Sequence, residues 1–189
     1  MDTVELHRRA VEAFDERVRA IGPGDWAAPT PCAGWDVRTL VNHLVNEDRW
    51  TVPLFEGRTI AEVGDRFDGD LLGEDPHRAW EEAAAEAVAA IAAPGTMERT
   101  THLSFGDLPG HDYAMQLAAD HLVHAWDLAR AIGADEGLDP ELVAETARWF
   151  ERWEEGYRSA GATAARPALP DGADGQTQLL AAFGRAAAP

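Results

Sequence analysis

The stretch PTPCAGWDVRTLVNHLV, Pro29 to Val45, decides how the chain is read. From Val37 onward, Leu40, Val41, Leu44 and Val45 recur at the spacing that lines one side of an α-helix. What precedes them is a start signal. Pro29 and Pro31 keep the approach extended, Gly34 permits a sharp turn, and Asp36 suits the N-cap. Trp35, just before the cap, is placed to pack on Leu40 as a hydrophobic staple. The segment predicts a helix from Asp36 to about Trp50, with Pro53 disturbing the last turn. That helix carries His43 at the edge of its apolar stripe.

The same period recurs on both sides. Val4, Val11, Phe14, Val18 and Ile21 mark a first helix from about Thr3 to Ile21, stopped by GPGDW. A third, rich in alanine and glutamate, spans about Asp75 to Ala92 and ends at APG. A fourth runs from about His111 to Ile132 and stops at Gly133; a fifth starts behind Asp139 and Pro140 and reaches about Tyr157. MERTTHLSFGDLPG, ahead of the fourth, is too short and too punctuated for a helix and predicts an extended crossover with a short strand pair. After Gly161 the tail is rich in alanine, proline and glycine, with an apolar patch at Leu179, Leu180 and Phe183. The pattern is all-α: a four-helix bundle with an additional helix and a crossover segment. Residues 1–160 are expected to form the bundle and 161–189 a C-terminal extension packing on it or trailing it.

Composition narrows the function. The formal net charge is -18, and all 16 basic residues are arginine. Such an excess of negative charge repels phosphate backbones and anionic lipid, so neither nucleic acid nor a membrane surface is an expected partner. One cysteine excludes an intramolecular disulfide and a cysteine-rich zinc site. With no signal-like or membrane-length apolar run, the reading is a cytoplasmic protein. A homodimer is admitted without being required.

Chemistry rests with the histidines. His7, His77, His102 and His111 read as exposed or hydrogen-bonded structural residues. His43 points into or along the bundle interior, where its ring nitrogens need partners. In LAADHLVHAWDLA, Asp120 and His124 are four apart and share a helix face, so they can grip one divalent cation with a third ligand from a facing helix. His121 with His124, three apart, is a rival pair, and an Asp–His pair on a solvated face is the bland alternative. Cys32 has no base at local spacing. Its place ahead of the helix, two prolines away from any fold-back, predicts a small buried thiol remote from His43.

PTPCAGWDVRTLVNHLV, FGDLPG and ADHLVHAWDLARAIG together resemble the metal-binding domain of mycothiol-dependent maleylpyruvate isomerases, within the DinB-like superfamily. The resemblance implies a four-helix bundle holding one divalent metal through His43, Asp120 and His124. Zinc is the expected ion, with nickel or another first-row metal as alternatives. The isomerase resembles this pattern with glutamate at the acidic position; this chain has the shorter Asp120. The implied function is a metal-dependent thiol S-transferase or isomerase, with a mycothiol-type thiol as cosubstrate and a small electrophile as its partner. A non-catalytic metal-binding or ligand-sensing module is the alternative, and a hydrolase using metal-bound water a third reading. Arg49, Arg66 and Arg78 are candidates for an anionic substrate, against the plainer reading of solvated surface charge.

Overall fold

Two aspartates start the first two long helices. Asp2 accepts a hydrogen bond from the Glu5 amide at 2.8 Å, at the head of α1 (Thr3–Arg19). Asp36 accepts from the Thr39 amide at 2.8 Å and from the Thr39 hydroxyl at 2.6 Å, and α2 (Val37–Phe55) follows. In this computed structural model, which describes residues 1–186, α2 passes through Pro53 rather than stopping near Trp50. The missing proline N–H falls in the last turn, and the amides of Glu56, Gly57 and Arg58 close the end on the carbonyls of Val52, Leu54 and Pro53.

A short α3 (Ile60–Val63) follows, closed by a capping box between Thr59 and Glu62. The loop beyond it is tied to α2 by side chains one turn apart. Arg38 donates to Asp70 at 2.8 Å, Asn42 donates to the Gly69 carbonyl at 3.0 Å, and Asn46 donates to the Phe67 carbonyl at 2.6 Å. Asp75 caps α4 (Pro76–Ala92). The crossover is a hairpin, as its punctuation predicts: β1 (Thr100–Leu103) pairs antiparallel with β2 (Gly106–Pro109), Thr101 opposite Leu108.

The hairpin leads directly into α5 (Gly110–Ile132), which Gly133 ends in the left-handed conformation at φ 68°. Gly110 is required by close approach: a Cβ there would lie 2.0 Å from the Thr96 carbonyl oxygen. α1 packs on α4 and α5, and α2 packs on the same two helices, which closes a four-helix bundle. Phe14, Leu40, Leu44, Trp80, Leu117 and Leu122 fill its centre. No helix among the described residues is long and apolar enough to cross a membrane.

The chain divides into two compact units, Met1–Asp135 and the residues from Glu136 onward. The bundle is the first. The second takes in the fifth expected helix as well as the tail. That helix is also shorter than expected: α6 (Pro140–Phe150) ends where the amides of Arg152 and Trp153 turn back three residues to Trp149 and Phe150. A separate α7 (Glu154–Ser159) follows. The apolar patch lies on α8 (Gly175–Ala182) and the residue after it, and Phe183 stacks on Phe150 of α6 at 3.8 Å between ring centroids. Mutual cover of those apolar faces is why α6 belongs with the tail.

Candidate metal centre

α2 and α5 pack against each other, and both carry polar side chains into their contact. His43 comes from the second turn of α2, Asp120 and His124 from successive turns of α5. The Asp120 carboxylate lies between the two imidazoles. Its Oδ2 is 2.9 Å from His43 Nε2, and its Oδ1 is 3.4 Å from His124 Nε2. One ligand atom from each of the three lies within 4.8 Å of the others. The side chains of His43 and Asp120 are 27% and 32% exposed, that of His124 only 6%. The cluster is thus open to solvent at two donors and closed at the third.

His124 is held from behind. Its Nδ1 is 2.9 Å from Oδ2 of the buried Asp127, and the Cys32 thiol donates to the same oxygen at 3.3 Å. A carboxylate only accepts, so Nδ1 carries the proton and Nε2 is aimed at Asp120. Trp35 completes the wall, its ring 5.0 Å from that of His43 and stacked at 6.0 Å on that of His124.

The charges are strongly coupled. Burial alone would raise the Asp120 carboxyl, but His124 and His43 outweigh it and hold Asp120 well below the usual carboxylate range. Burial likewise disfavours the His124 imidazolium, yet Asp120, Asp127 and Cys32 hold it well above the usual histidine range. Glu47, one turn beyond His43, is pushed up to about 7 by removal from water and by the neighbouring Asp120. The donor set suits a divalent cation. Two imidazole nitrogens and a carboxylate converge from two helices, and a carboxylate behind one histidine fixes its tautomer, as metal-ligating histidines require.

Other residues depart from their sequence-based expectations. Trp35 stands beside the two histidines rather than acting only as a staple on Leu40. Cys32 is not remote: its loop folds back so that Sγ lies 3.9 Å from His124 Nδ1. The turn that achieves this is held by the Thr30 amide on the Trp35 carbonyl and the Trp35 amide on the Cys32 carbonyl. Because Cys32 meets the ring nitrogen opposite the one facing Asp120, it backs the histidine rather than joining the three donors. His121 is turned away from that group. It is buried beside Asp48, its Nε2 3.3 Å from Asp48 Oδ1, and the ring of His7 is edge-on to it at 5.5 Å. His7, expected to be exposed or hydrogen-bonded, is buried, because α1 packs against both α4 and α5. The arginines stay outside the cluster: Arg49 pairs with Glu86 at 2.6 Å, Arg78 with Glu82 at 2.8 Å, and Arg66 lies over the Phe67 ring.

Fold and cluster together define a helical-bundle protein with a histidine–carboxylate centre between two packed helices. The chain belongs to the mycothiol maleylpyruvate isomerase N-terminal domain family, whose model matches residues 7–129. It is similar to two uncharacterized proteins of Mycobacterium tuberculosis, MT0763 of strain CDC 1551 / Oshkosh and Rv0738 of strain ATCC 25618 / H37Rv. Each is 37% identical over 149 residues, which cover 77% of this chain and 75% of the relative. No solved structure matches the chain at a significant level.

Proposed function

We propose that this protein binds a divalent metal, zinc or a similar first-row ion, through His43, Asp120 and His124, and acts on a small thiol of the mycothiol type in S-transfer or isomerisation. One observation carries the reading: in a chain of this family, two Nε2 atoms and one carboxylate converge from two helices, with Asp127 fixing the orientation of His124. An ion held there would lower the pKa of a bound thiol and so raise its nucleophilicity. The protein's own residues do the rest. His43 and Asp120, both partly exposed, leave the side from which a thiol can approach. Asp127 accepts the His124 Nδ1 proton, with Cys32 donating to the same carboxylate oxygen, so Nε2 is the nitrogen turned toward the ion. Trp35 lies against both imidazoles.

The test compares zinc-loaded with metal-free protein, each incubated with a small thiol and an electrophile such as a quinone or an activated aryl halide. Thiol consumption that requires both the metal and His43 is the expected result. Metal and thiol binding without consumption would replace the enzyme by a ligand-sensing module. Failure of His43→Ala and His124→Ala to reduce metal content would remove the site.

A further inference from the structure

His7 of α1, Asp48 of α2 and His121 of α5 meet in the bundle interior, each with no exposed surface. We propose that these three residues form a second divalent-metal site, one that is structural and made of different side chains from the first.

The strongest observation is a concentration of unmet polar atoms. Both ring nitrogens of His7, both oxygens of Asp48 and Nε2 of His121 are buried without a hydrogen-bond partner. Native interiors tolerate few such atoms, and an unpartnered buried carboxylate costs several kcal/mol. The tautomer of His121 sharpens the point. Its Nδ1 is 2.8 Å from the Leu117 carbonyl, which only accepts, so Nδ1 carries the proton. Nε2 then faces a carboxylate oxygen, so a positive charge belongs between them, either a second ring proton or a cation. A backbone carbonyl behind one ring nitrogen with the other aimed at a carboxylate is how ligating histidines are commonly held.

Distance agrees. The Nε2–Oδ1 separation of 3.3 Å is long for a charge-assisted hydrogen bond, which runs about 2.7–2.9 Å. It is close to the edge of a ligand tetrahedron with bonds of about 2.0–2.1 Å, roughly 3.3 Å. His7 supplies the third donor, and one ligand atom from each residue lies within 4.8 Å of the others. Phe14 and Trp80 place their rings against His121 at 6.2 and 5.8 Å, so the surroundings are apolar. Two imidazoles and one carboxylate select a zinc-like ion over calcium or magnesium, which prefer oxygen. With no exposed donor the ion would enter as the chain folds and would join α1, α2 and α5.

The experiment measures zinc per chain by mass spectrometry after refolding in zinc chloride and gel filtration. The double variant His43→Ala/His124→Ala leaves the buried cluster untouched. Wild type is expected to carry two zinc ions per chain and the double variant one, retained through prolonged EDTA treatment of the folded protein. Asp48→Asn added to the double variant removes the remaining ion. A folded double variant without zinc overturns the proposal and leaves a water or a proton as the occupant. Zinc that persists after Asp48→Asn overturns the assignment to these residues. Should the triple variant fail to fold, X-ray absorption of zinc in the double variant decides: two imidazole ligands support the site, and fewer refute it. The outcomes separate the two centres. One zinc in wild type that survives in the double variant sinks the His43 centre and keeps this one; one zinc that is lost does the reverse.

Discussion

His124 is used through both of its ring nitrogens. Nε2 faces Asp120 while Nδ1 is held by Asp127, so the second aspartate sets how well the first nitrogen can donate. Asp127→Asn keeps the size but can offer an N–H where an acceptor is needed. Zinc affinity at the His43 centre should fall by about 10–100-fold, the usual effect of losing such support, with helical content unchanged. A chelator competition that gives wild-type affinity would show that His124 needs no carboxylate behind it. Cys32 is the contrasting case. Its thiol shares Asp127 with His124 but lies on the far side of the ring from Asp120. A serine hydroxyl can donate to the same oxygen, so Cys32→Ser should retain zinc and any thiol consumption. Loss of consumption in a folded, zinc-loaded variant would make Cys32 the nucleophile. These two residues also show what a sequence discloses at this scale. Asp127 stands three after His124 on the same side of one helix, a spacing that signals such a contact, yet it is not among the partners read for His124 from the sequence. The approach of Cys32 depends on how a loop returns to another helix, which no local period records.

Helix starts were legible because caps are local chemistry. Asp36 and Asp139 each sit where a side-chain oxygen meets amides two or three residues on. Hydrogen bonds from the Thr39 hydroxyl and then the Thr39 amide hold the Asp36 carboxyl below its usual range. The sign follows from linkage. A depressed carboxyl stabilises the fold above its unfolded pKa, and the contribution disappears as pH falls through the folded value. Asp36→Ala should therefore cost about 0.5–2 kcal/mol at pH 7, and the difference from wild type should close in strong acid. Thermal unfolding across pH measures it; a gap that persists undiminished below the carboxylate range would assign the loss to packing. Asp36→Asn, an equally good cap, should cost little. Helix ends were less legible. The i→i−3 amide bonds that divide α6 from α7, and the continuation of α2 through Pro53, depend on how the last turn is packed. Depth was not legible either. His7 reads as exposed or hydrogen-bonded from its sequence, but the packing of α1 on α4 and α5 buries it. The start of α5 offers a further test. Gly110→Ala would set a Cβ against the Thr96 carbonyl, and backbone on both sides leaves little to give. A loss of about 1–3 kcal/mol is expected, read as a lower unfolding midpoint. An unchanged midpoint would mean that the loop after α4, which carries Thr96, can shift freely against α5.

Charge is a property of the whole chain. Thirty-four acidic residues face 16 arginines, and many of those arginines already pair locally, as Arg8 does with Glu5 and Arg38 with Asp70. The remainder is an excess of 18 negative charges, which folding draws closer together than the extended chain does. Salt acts on both contributions. It weakens the exposed pairs, each worth roughly 0–1 kcal/mol, and it screens the repulsion among unpaired carboxylates over a Debye length of about 8–10 Å. The acidic excess exceeds the number of arginines available to pair, so repulsion should dominate. Sodium chloride raised from about 0.01 M to 0.15 M, which shortens the Debye length from roughly 30 to 8 Å, should lift the unfolding midpoint by a few degrees at pH 7. A monovalent salt is the right probe, because it separates screening from the metal binding proposed for the histidine clusters. The increase should shrink near the isoelectric point of about 4.6, where the excess charge is neutralised. A midpoint that falls with sodium chloride at pH 7 would mean that the arginine–carboxylate pairs, and not the unpaired acids, govern the electrostatics of this fold.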